Sequence, residues 1–224
     1  MSMRAVIFDF DGVLVDSEPL HFRAMHDCLL PEGITISEDE YVSHYLAYDD
    51  RGAIRCALER HGAPSDPARL QALAERKGAL FESLLPSIPF FPGVKELVMG
   101  LAKEVPLAIA SGALRGEIEG VLRTSGLLEL FGAVVGANDV MRTKPHPEPY
   151  LEAFARLAAR GLAWDASDCL VVEDSPPGIA AGLAAGMKVL AVANSYPAQA
   201  LGSAHRVVHS LEGLSPREMR TLFG

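Results

Sequence analysis

The chain has 224 residues, of which 49% are hydrophobic and 22% are charged, the composition of an ordinary globular protein. A net charge of −9 disfavours a nucleic-acid partner, because no basic stripe offsets it. No apolar run approaches the roughly 18 residues of a membrane span, and no charged region with a long apolar stretch opens the chain, so neither a membrane nor a secretory location is expected. The three cysteines are scattered without a CxxC spacing, which fits core residues in a reducing compartment and predicts a cytoplasmic protein.

The first predicted element is a buried strand over residues 5–8, which two carboxylates and a glycine follow at once. Asp9 and Asp11 lie two positions apart and therefore share a face as the chain leaves the strand. Ionised carboxylates at the end of an apolar strand are costly unless a positive group lies between them. In an open α/β sheet, ligands also bind at this end of the strands. The pair therefore predicts a hard-cation site, in which one carboxylate can attack and the other can move a proton; a simple acidic turn is the alternative.

Helical spacing replaces the strand pattern from about residue 20 to about residue 85. An apolar stripe over residues 21–30 ends at Gly33, and Ser37 with Glu40 has the spacing of a capping box. Further amphipathic runs cover residues 53–60 and 67–81. The pattern predicts a small all-α unit, residues 17–87, inserted into a domain that residues 1–16 and 88–224 form together.

The remainder of the chain alternates strands and helices. The predicted strands cover residues 107–110, 133–135, 169–172, 189–192 and 206–208. The predicted helices cover residues 94–102, 117–124, 149–158 and 178–185, and a short helix follows Ser215. Near-continuous apolar strands that alternate with helices predict an α/β fold with a parallel, doubly wound sheet.

Three further strand ends carry small or charged residues. Ser111-Gly112 offers a hydroxyl and exposed backbone N–H groups that suit a phosphate, although such a pair is also common in plain turns. Lys144 begins a segment with prolines at alternate positions, which predicts a stiff, extended backbone. Such a backbone can hold the positive charge of the lysine close to a phosphate or to the aspartates. Glu173-Asp174 is a second acidic strand end. Together with Asp9 it predicts an oxygen-rich site for Mg²⁺.

These motifs, in this order and spacing, resemble the four motifs of the haloacid dehalogenase (HAD) superfamily of aspartate-nucleophile phosphohydrolases. The run from Asp9 to Pro19 resembles motif I, Ser111 motif II, Lys144-Pro145 motif III, and Glu173-Asp174-Ser175 with Gly178 motif IV. Within the superfamily the chain is similar to the branch of β-phosphoglucomutase and the small-metabolite phosphatases. The resemblance implies a Rossmann-like core with an inserted type-1 helical cap.

The resemblance also implies roles for the site residues. Asp9 would attack phosphorus and form an aspartyl-phosphate, and Asp11 would act as general acid and then general base. Asp9, Asp174 and the backbone carbonyl of Asp11 would hold Mg²⁺, with Glu173 or Ser175 in support. Ser111, Gly112 and Lys144 would bind the phosphoryl group. The implied enzyme is a Mg²⁺-dependent phosphatase of a small phosphorylated metabolite.

The cap region bears on the alternatives. Asp11 disfavours the dehalogenases proper, because a halide leaving group needs no proton. The resemblance to β-phosphoglucomutase implies substrate contacts from His21 and Arg51, although packing and a solvated surface position are the plainer interpretations. At two positions where the mutase has a lysine, this chain has Ala47 and Leu114. A phosphosugar mutase is therefore the alternative hypothesis, and a phosphatase is preferred.

A non-enzymatic, receiver-like phospho-accepting module is a further alternative, which the inserted cap disfavours. The substrate and the oligomeric state stay open.

Overall fold

The computed structural model describes residues 3–46, 48–159 and 165–223, so Ala47 lies outside the described residues. The chain forms two compact units. We call them the core unit, Met1–Asp16 with Pro89–Gly224, and the helical unit, Ser17–Ile88. Within the described ranges, no helix combines the length and the apolar character needed to cross a membrane.

In its described residues, the helical unit contains four α-helices: α1 (Glu18–Leu29), α2 (Glu38–His44), α3 (Asp50–Arg60) and α4 (Pro67–Leu84). The predicted cap at Ser37 is present, since its side chain accepts a hydrogen bond from the backbone N–H of Glu40. The Glu40 carboxylate instead accepts hydrogen bonds from the side chains of Tyr45 and His61. The apolar stripes of the helices meet in a buried cluster that includes Met25, Leu29, Ile54, Leu58 and Leu73.

The core unit is built on a six-stranded parallel sheet: β1 (Ala5–Phe8), β2 (Leu107–Ala110), β3 (Phe131–Val135), β4 (Cys169–Glu173), β5 (Lys188–Val192) and β6 (Arg206–Val208). The strand order is β3-β2-β1-β4-β5-β6, which confirms the predicted α/β class and doubly wound sheet. The chain builds outward from β1 to β3 and then returns to pair β4 with the other edge of β1. The boundary between β1 and β4 is therefore the switch point of the sheet, where ligands bind.

Where the structure describes the core unit, five α-helices accompany this sheet: α5 (Val94–Leu101), α6 (Arg115–Thr124), α7 (Glu148–Ala158), α8 (Pro176–Ala184) and α9 (Pro216–Phe223). All four residues of β1 are buried, although neighbours along a strand face opposite sides of the sheet. Ile7 packs in one cluster with Tyr150 of α7 and Ile179 of α8. Burial on both faces explains why these strands read as continuous apolar runs rather than alternating ones.

Candidate active site

Three carboxylates lie together at the carboxyl ends of β1 and β4. The backbone N–H of Asp9 donates to the carbonyl of Val172 over 2.9 Å, which continues the pairing of the two strands by one residue. Asp9, Glu173 and Asp174 are all buried, and one carboxylate oxygen from each lies within 4.8 Å of the others. The sheet thus brings together two acidic strand ends that are more than 160 residues apart in the chain.

Lys144 is the cation among them. Its Nζ lies 2.8 Å from Oδ1 of Asp9 and 2.6 Å from Oε1 of Glu173. The expected extended backbone at this lysine is wrong, because the Lys144–Pro145 peptide is cis and the N–H of His146 donates to the carbonyl of Thr143 over 3.0 Å. The segment therefore makes a tight turn with the proline at its third position.

Glu173 is fixed by hydrogen bonds on both carboxylate oxygens. Oε1 accepts from Lys144 and, over 2.9 Å, from the hydroxyl of Tyr150. Oε2 accepts from the backbone N–H groups of Asp174 and Ser175 and from the Ser175 hydroxyl. Burial acts to raise the pKa of Glu173, but the ion pair and hydrogen bond with Lys144 and the bonds from Ser175 hold it below its usual value. Glu173 therefore stays ionised and orients the lysine.

The start of α8 fits closely against this carboxylate. Ser175 caps the helix, since its Oγ accepts a hydrogen bond from the N–H of Gly178 over 3.2 Å. A β-carbon at Gly178 would lie 1.7 Å from Oε1 of Glu173, so only glycine fits there. The hydroxyl of Ser175 is thus engaged by both Glu173 and Gly178, which leaves Asp9 and Asp174 as the better metal ligands.

The charge balance of the site favours a bound cation. Three buried carboxylates face one ammonium group. Burial raises the pKa of Asp9 to about 8, with Glu173 and Asp174 adding to the shift and Lys144 opposing it. Burial likewise raises the pKa of Asp174 to about 6. Oδ1 of Asp9 lacks a well-aligned hydrogen bond among the described residues, despite its ion pair with Lys144. A hard cation with a preference for oxygen ligands fits this set, and Mg²⁺ is such a cation.

The other predicted residues of the core unit lie at the same edge of the sheet. Ser111 follows β2 and is buried; its backbone N–H donates to the carbonyl of Val135 over 3.0 Å and its Oγ accepts from the N–H of Ala113. Gly112 is exposed beside it. Asp11 is half-buried in the turn that leaves β1.

The two predicted cap residues lie in the helical unit. His21, on α1, stacks on the ring of Phe81 at 4.1 Å, and its Nδ1 lies 2.7 Å from Nζ of Lys77. The same ammonium lies 2.6 Å from the carboxylate of Asp50. Burial, and then the charge of Lys77, lower the pKa of His21 to about 4, so the imidazole is neutral. Arg51 is exposed at the start of α3.

Sequence reasoning missed four residues of these clusters. Asn194 and Ser195 follow β5 after one intervening residue, Ala193, and the strand-end signal that identified the other site residues applies to them as well. The Ser195 hydroxyl donates to Oδ2 of Asp174, and the Asn194 amide donates to the carbonyl of Gly12 over 2.8 Å. Tyr150 and Lys77 lie within helical runs, where nothing in the local pattern distinguishes them from packing and surface residues.

Fold and site together define an α/β protein with a buried acidic centre and a lysine at the switch point of a parallel sheet. Residues 6–192 match the haloacid dehalogenase-like hydrolase family, so the chain belongs to that family. The expectation of a HAD-type enzyme is thereby confirmed.

Individual relatives agree with the predicted branch of the superfamily. The chain is 34% identical to hexitol phosphatase B of Escherichia coli (strain K12) over 192 residues, which cover 84% of this chain and 82% of that protein. It is 41% identical to the bifunctional riboflavin kinase/FMN phosphatase of Arabidopsis thaliana over 136 residues, 59% of this chain but only 34% of that longer protein. A crystal structure of β-phosphoglucomutase from Clostridium difficile shares the fold, with a TM-score of 0.72 at 24% identity over 99% of this chain and 97% of that one.

Proposed function

We propose that the protein is a Mg²⁺-dependent phosphatase that hydrolyses a small phosphorylated metabolite, a phosphomonoester, through an aspartyl-phosphate on Asp9. The observation that carries the proposal is the buried group of Asp9, Glu173 and Asp174 around Lys144 at the switch point of the sheet. Buried carboxylates at this density need a cation, and phosphoryl transfer needs positive charge on the equatorial oxygens of phosphorus. The similarity to hexitol phosphatase B supports the same reaction class.

In the proposed reaction the Asp9 carboxylate attacks phosphorus, and the bond from phosphorus to the leaving oxygen breaks as Asp11 donates a proton to that oxygen. Asp11 then accepts a proton from a water molecule that attacks the same phosphorus. The bond between Asp9 and phosphorus breaks, which releases inorganic phosphate and restores the carboxylate. Lys144, held by Glu173, stabilises negative charge on the phosphoryl oxygens, and the hydroxyl of Ser111 and the N–H of Gly112 donate hydrogen bonds to them.

Asp9, Asp174 and the backbone carbonyl of Asp11 would hold Mg²⁺, with Glu173 in support. The ion would neutralise charge on the phosphoryl group and keep Asp9 ionised at neutral pH despite its raised pKa. We propose further that the helical unit serves as the cap and that His21 and Arg51 contribute to substrate binding there.

A phosphosugar mutase is the second candidate, favoured by the shared fold with β-phosphoglucomutase. A mutase must hold a second phosphate, and the position after motif II where the mutase carries a lysine is the exposed Leu114. The adjacent Arg115 does not replace that lysine, because its Nε lies 2.6 Å from the carboxylate of Glu119 and its guanidinium also approaches Asp139. This pairing supports hydrolysis over phosphate exchange.

Release of inorganic phosphate from p-nitrophenyl phosphate, sugar phosphates, phosphoglycolate and nucleoside monophosphates tests the proposal, with Mg²⁺ and with EDTA. Wild-type protein should release phosphate only with Mg²⁺, and Asp9→Asn should lower the rate by about 1,000-fold or more while it keeps the fold. Asp165→Asn, an exposed aspartate of the same unit, is the matched control and should retain wild-type activity. Substantial turnover by folded Asp9→Asn protein would disprove the nucleophile. Exchange of phosphate between two positions of a sugar, without release, would favour the mutase.

A further inference from the structure

The loop after β5 reaches two other loops of the candidate site. The Ser195 hydroxyl donates to Oδ2 of Asp174, which follows β4. The side-chain amide of the preceding residue, Asn194, donates to the carbonyl of Gly12, which lies in the turn after β1, over 2.8 Å. Two consecutive side chains therefore connect the loop after β5 to both acidic strand ends.

Gly12 packs closely against the side chains of Asp174 and Ser195. Gly12 has a φ of +74°, and a β-carbon built there would lie 1.9 Å from Oδ2 of Asp174 and 2.6 Å from Oγ of Ser195. Gly12 is therefore required both for its backbone conformation and for the close approach of the two side chains. The N–H of Leu14 donates to the carbonyl of Phe10 over 2.8 Å, which closes the turn that contains both Asp11 and Gly12.

We infer that Asn194 and Ser195 are positioning residues for the metal site, a role that rests on the proposed function. Ser195 holds one carboxylate oxygen of Asp174 by a hydrogen bond. The Asp174 side chain is therefore already oriented when its other oxygen binds a cation, and binding costs less conformational entropy. Asn194 fixes the turn that presents the Asp11 carbonyl. Residues that orient metal ligands commonly change metal affinity by about 10-fold to 100-fold when they are removed.

Direct binding of Mg²⁺, measured by isothermal titration calorimetry on the 224-residue chain without substrate, tests this inference. Ser195→Ala should raise the Kd for Mg²⁺ by about 10-fold. Ser195→Thr keeps the hydroxyl and should stay within about 3-fold of wild type, a rescue that a general packing role would not produce. Asn194→Ala should also weaken binding, because it frees the turn that contains Asp11.

Ser210→Ala is the matched control, since the Ser210 hydroxyl accepts a hydrogen bond from the N–H of Glu212 elsewhere in the core unit. Its Kd should equal that of wild type. Equal Mg²⁺ affinity in wild type and Ser195→Ala would overturn the inference while leaving the proposed phosphatase intact. If wild-type protein binds no Mg²⁺, the proposed function itself fails and the positioning role fails with it. Circular dichroism of each variant confirms that the compared proteins are folded.

Discussion

Among single residues, Lys144 contributes most to stabilising the buried carboxylates of the acidic centre. Burial acts to lower the pKa of Lys144, but Asp9 and Glu173 raise it above its usual value, so the ammonium stays charged. Its ammonium group forms ion pairs with two of the three buried carboxylates, Asp9 and Glu173. An unpaired buried charge is among the most costly defects that a single substitution can create.

We therefore expect Lys144→Met to lower the free energy of unfolding by about 3–5 kcal/mol at neutral pH. The loss should shrink as the pH is lowered, because protonated carboxylates need no cation. Urea denaturation at several pH values measures both effects. Lys103→Met, at an exposed position of the same unit, serves as the control. A Lys144→Met protein as stable as wild type at pH 8 would show that the ion pairs contribute little.

Arg51 is exposed at the start of α3, and we propose that its guanidinium binds a second anionic group of the substrate with two parallel hydrogen bonds. For a substrate with such a group, Arg51→Ala should weaken kcat/KM by about 1.5–3 kcal/mol, the range for charge-assisted hydrogen bonds. The same substitution should hardly affect p-nitrophenyl phosphate, which lacks a second anion. Steady-state kinetics on both substrates provide the comparison. An equal loss on both would assign Arg51 to folding or movement of the helical unit instead.

At the scale of secondary-structure elements, the start of α8 is built around the Glu173 carboxylate. We expect Gly178→Ala to destabilise the protein by about 1–3 kcal/mol and to lower activity, because the new methyl group must displace that carboxylate. Gly120→Ala is the matched control within α6, where an added β-carbon meets nothing within 4 Å. That control should stabilise the protein by up to about 1 kcal/mol. Thermal unfolding of the two variants should therefore shift in opposite directions, and a common direction would contradict this packing.

The contact between α1 and α4 makes the helical unit sensitive to acid. His21 is neutral in the folded state, with a pKa of about 4 against an unfolded value near 6.5, because it is buried beside Lys77. The unfolded chain thus binds more protons between these pH values, and stability falls as the pH drops from 7 toward 4. His21 should account for about 2 kcal/mol of loss between pH 7 and pH 5.

Two measurements check this expectation. Urea denaturation of His21→Asn should show a smaller loss between pH 7 and pH 5 than wild type, and His209→Asn, at an exposed position of the core unit, serves as the control. NMR titration should place the His21 imidazole near pH 4. A titration midpoint above pH 6 would refute the neutral, buried assignment.

At the scale of the whole molecule, stability should depend on Mg²⁺ and on pH together. In metal-free protein the pKa of Asp9 is raised to about 8 from an ordinary value near 3.8. The folded state therefore holds this proton more tightly than the unfolded chain, and the stability that this provides is lost progressively as the pH rises from about 4 to about 8. A cation that binds only the folded protein reverses this loss.

We expect Mg²⁺ at about 100 times its Kd to add about 2.7 kcal/mol, which corresponds to a rise in Tm of about 5–10 °C for a chain of this size. At one fixed Mg²⁺ concentration the rise should be larger at pH 8 than at pH 6.5, because a protonated Asp9 weakens Mg²⁺ binding at the lower pH. Calorimetry with Mg²⁺, and with NaCl of equal ionic strength as the control, measures it. Asp174→Asn should abolish most of the response, and an identical rise with NaCl would rule out a specific site.

The fold class, the strands and the acidic residues at the strand ends could all be predicted from the amino-acid sequence. Short, continuous apolar runs that alternate with helices are typical of strands buried on both faces of a parallel sheet. Asp9 and Glu173-Asp174 were recognisable because charges at the end of such a strand are too costly to be incidental.

The partners of these residues, in contrast, depend on how distant parts of the chain pack together. The hydrogen bonds from Tyr150 to Glu173 and from Ser195 to Asp174 each join residues more than 20 positions apart in the chain. The turn at Lys144 is local, but its proline-rich sequence is equally compatible with an extended segment. In the helical unit, Lys77 reads as an ordinary surface lysine of α4, and only the packing of α4 against α1 and α3 buries its ammonium between His21 and Asp50. Residue type and strand position are encoded locally, whereas the distances that set charge and pKa arise when distant segments pack together.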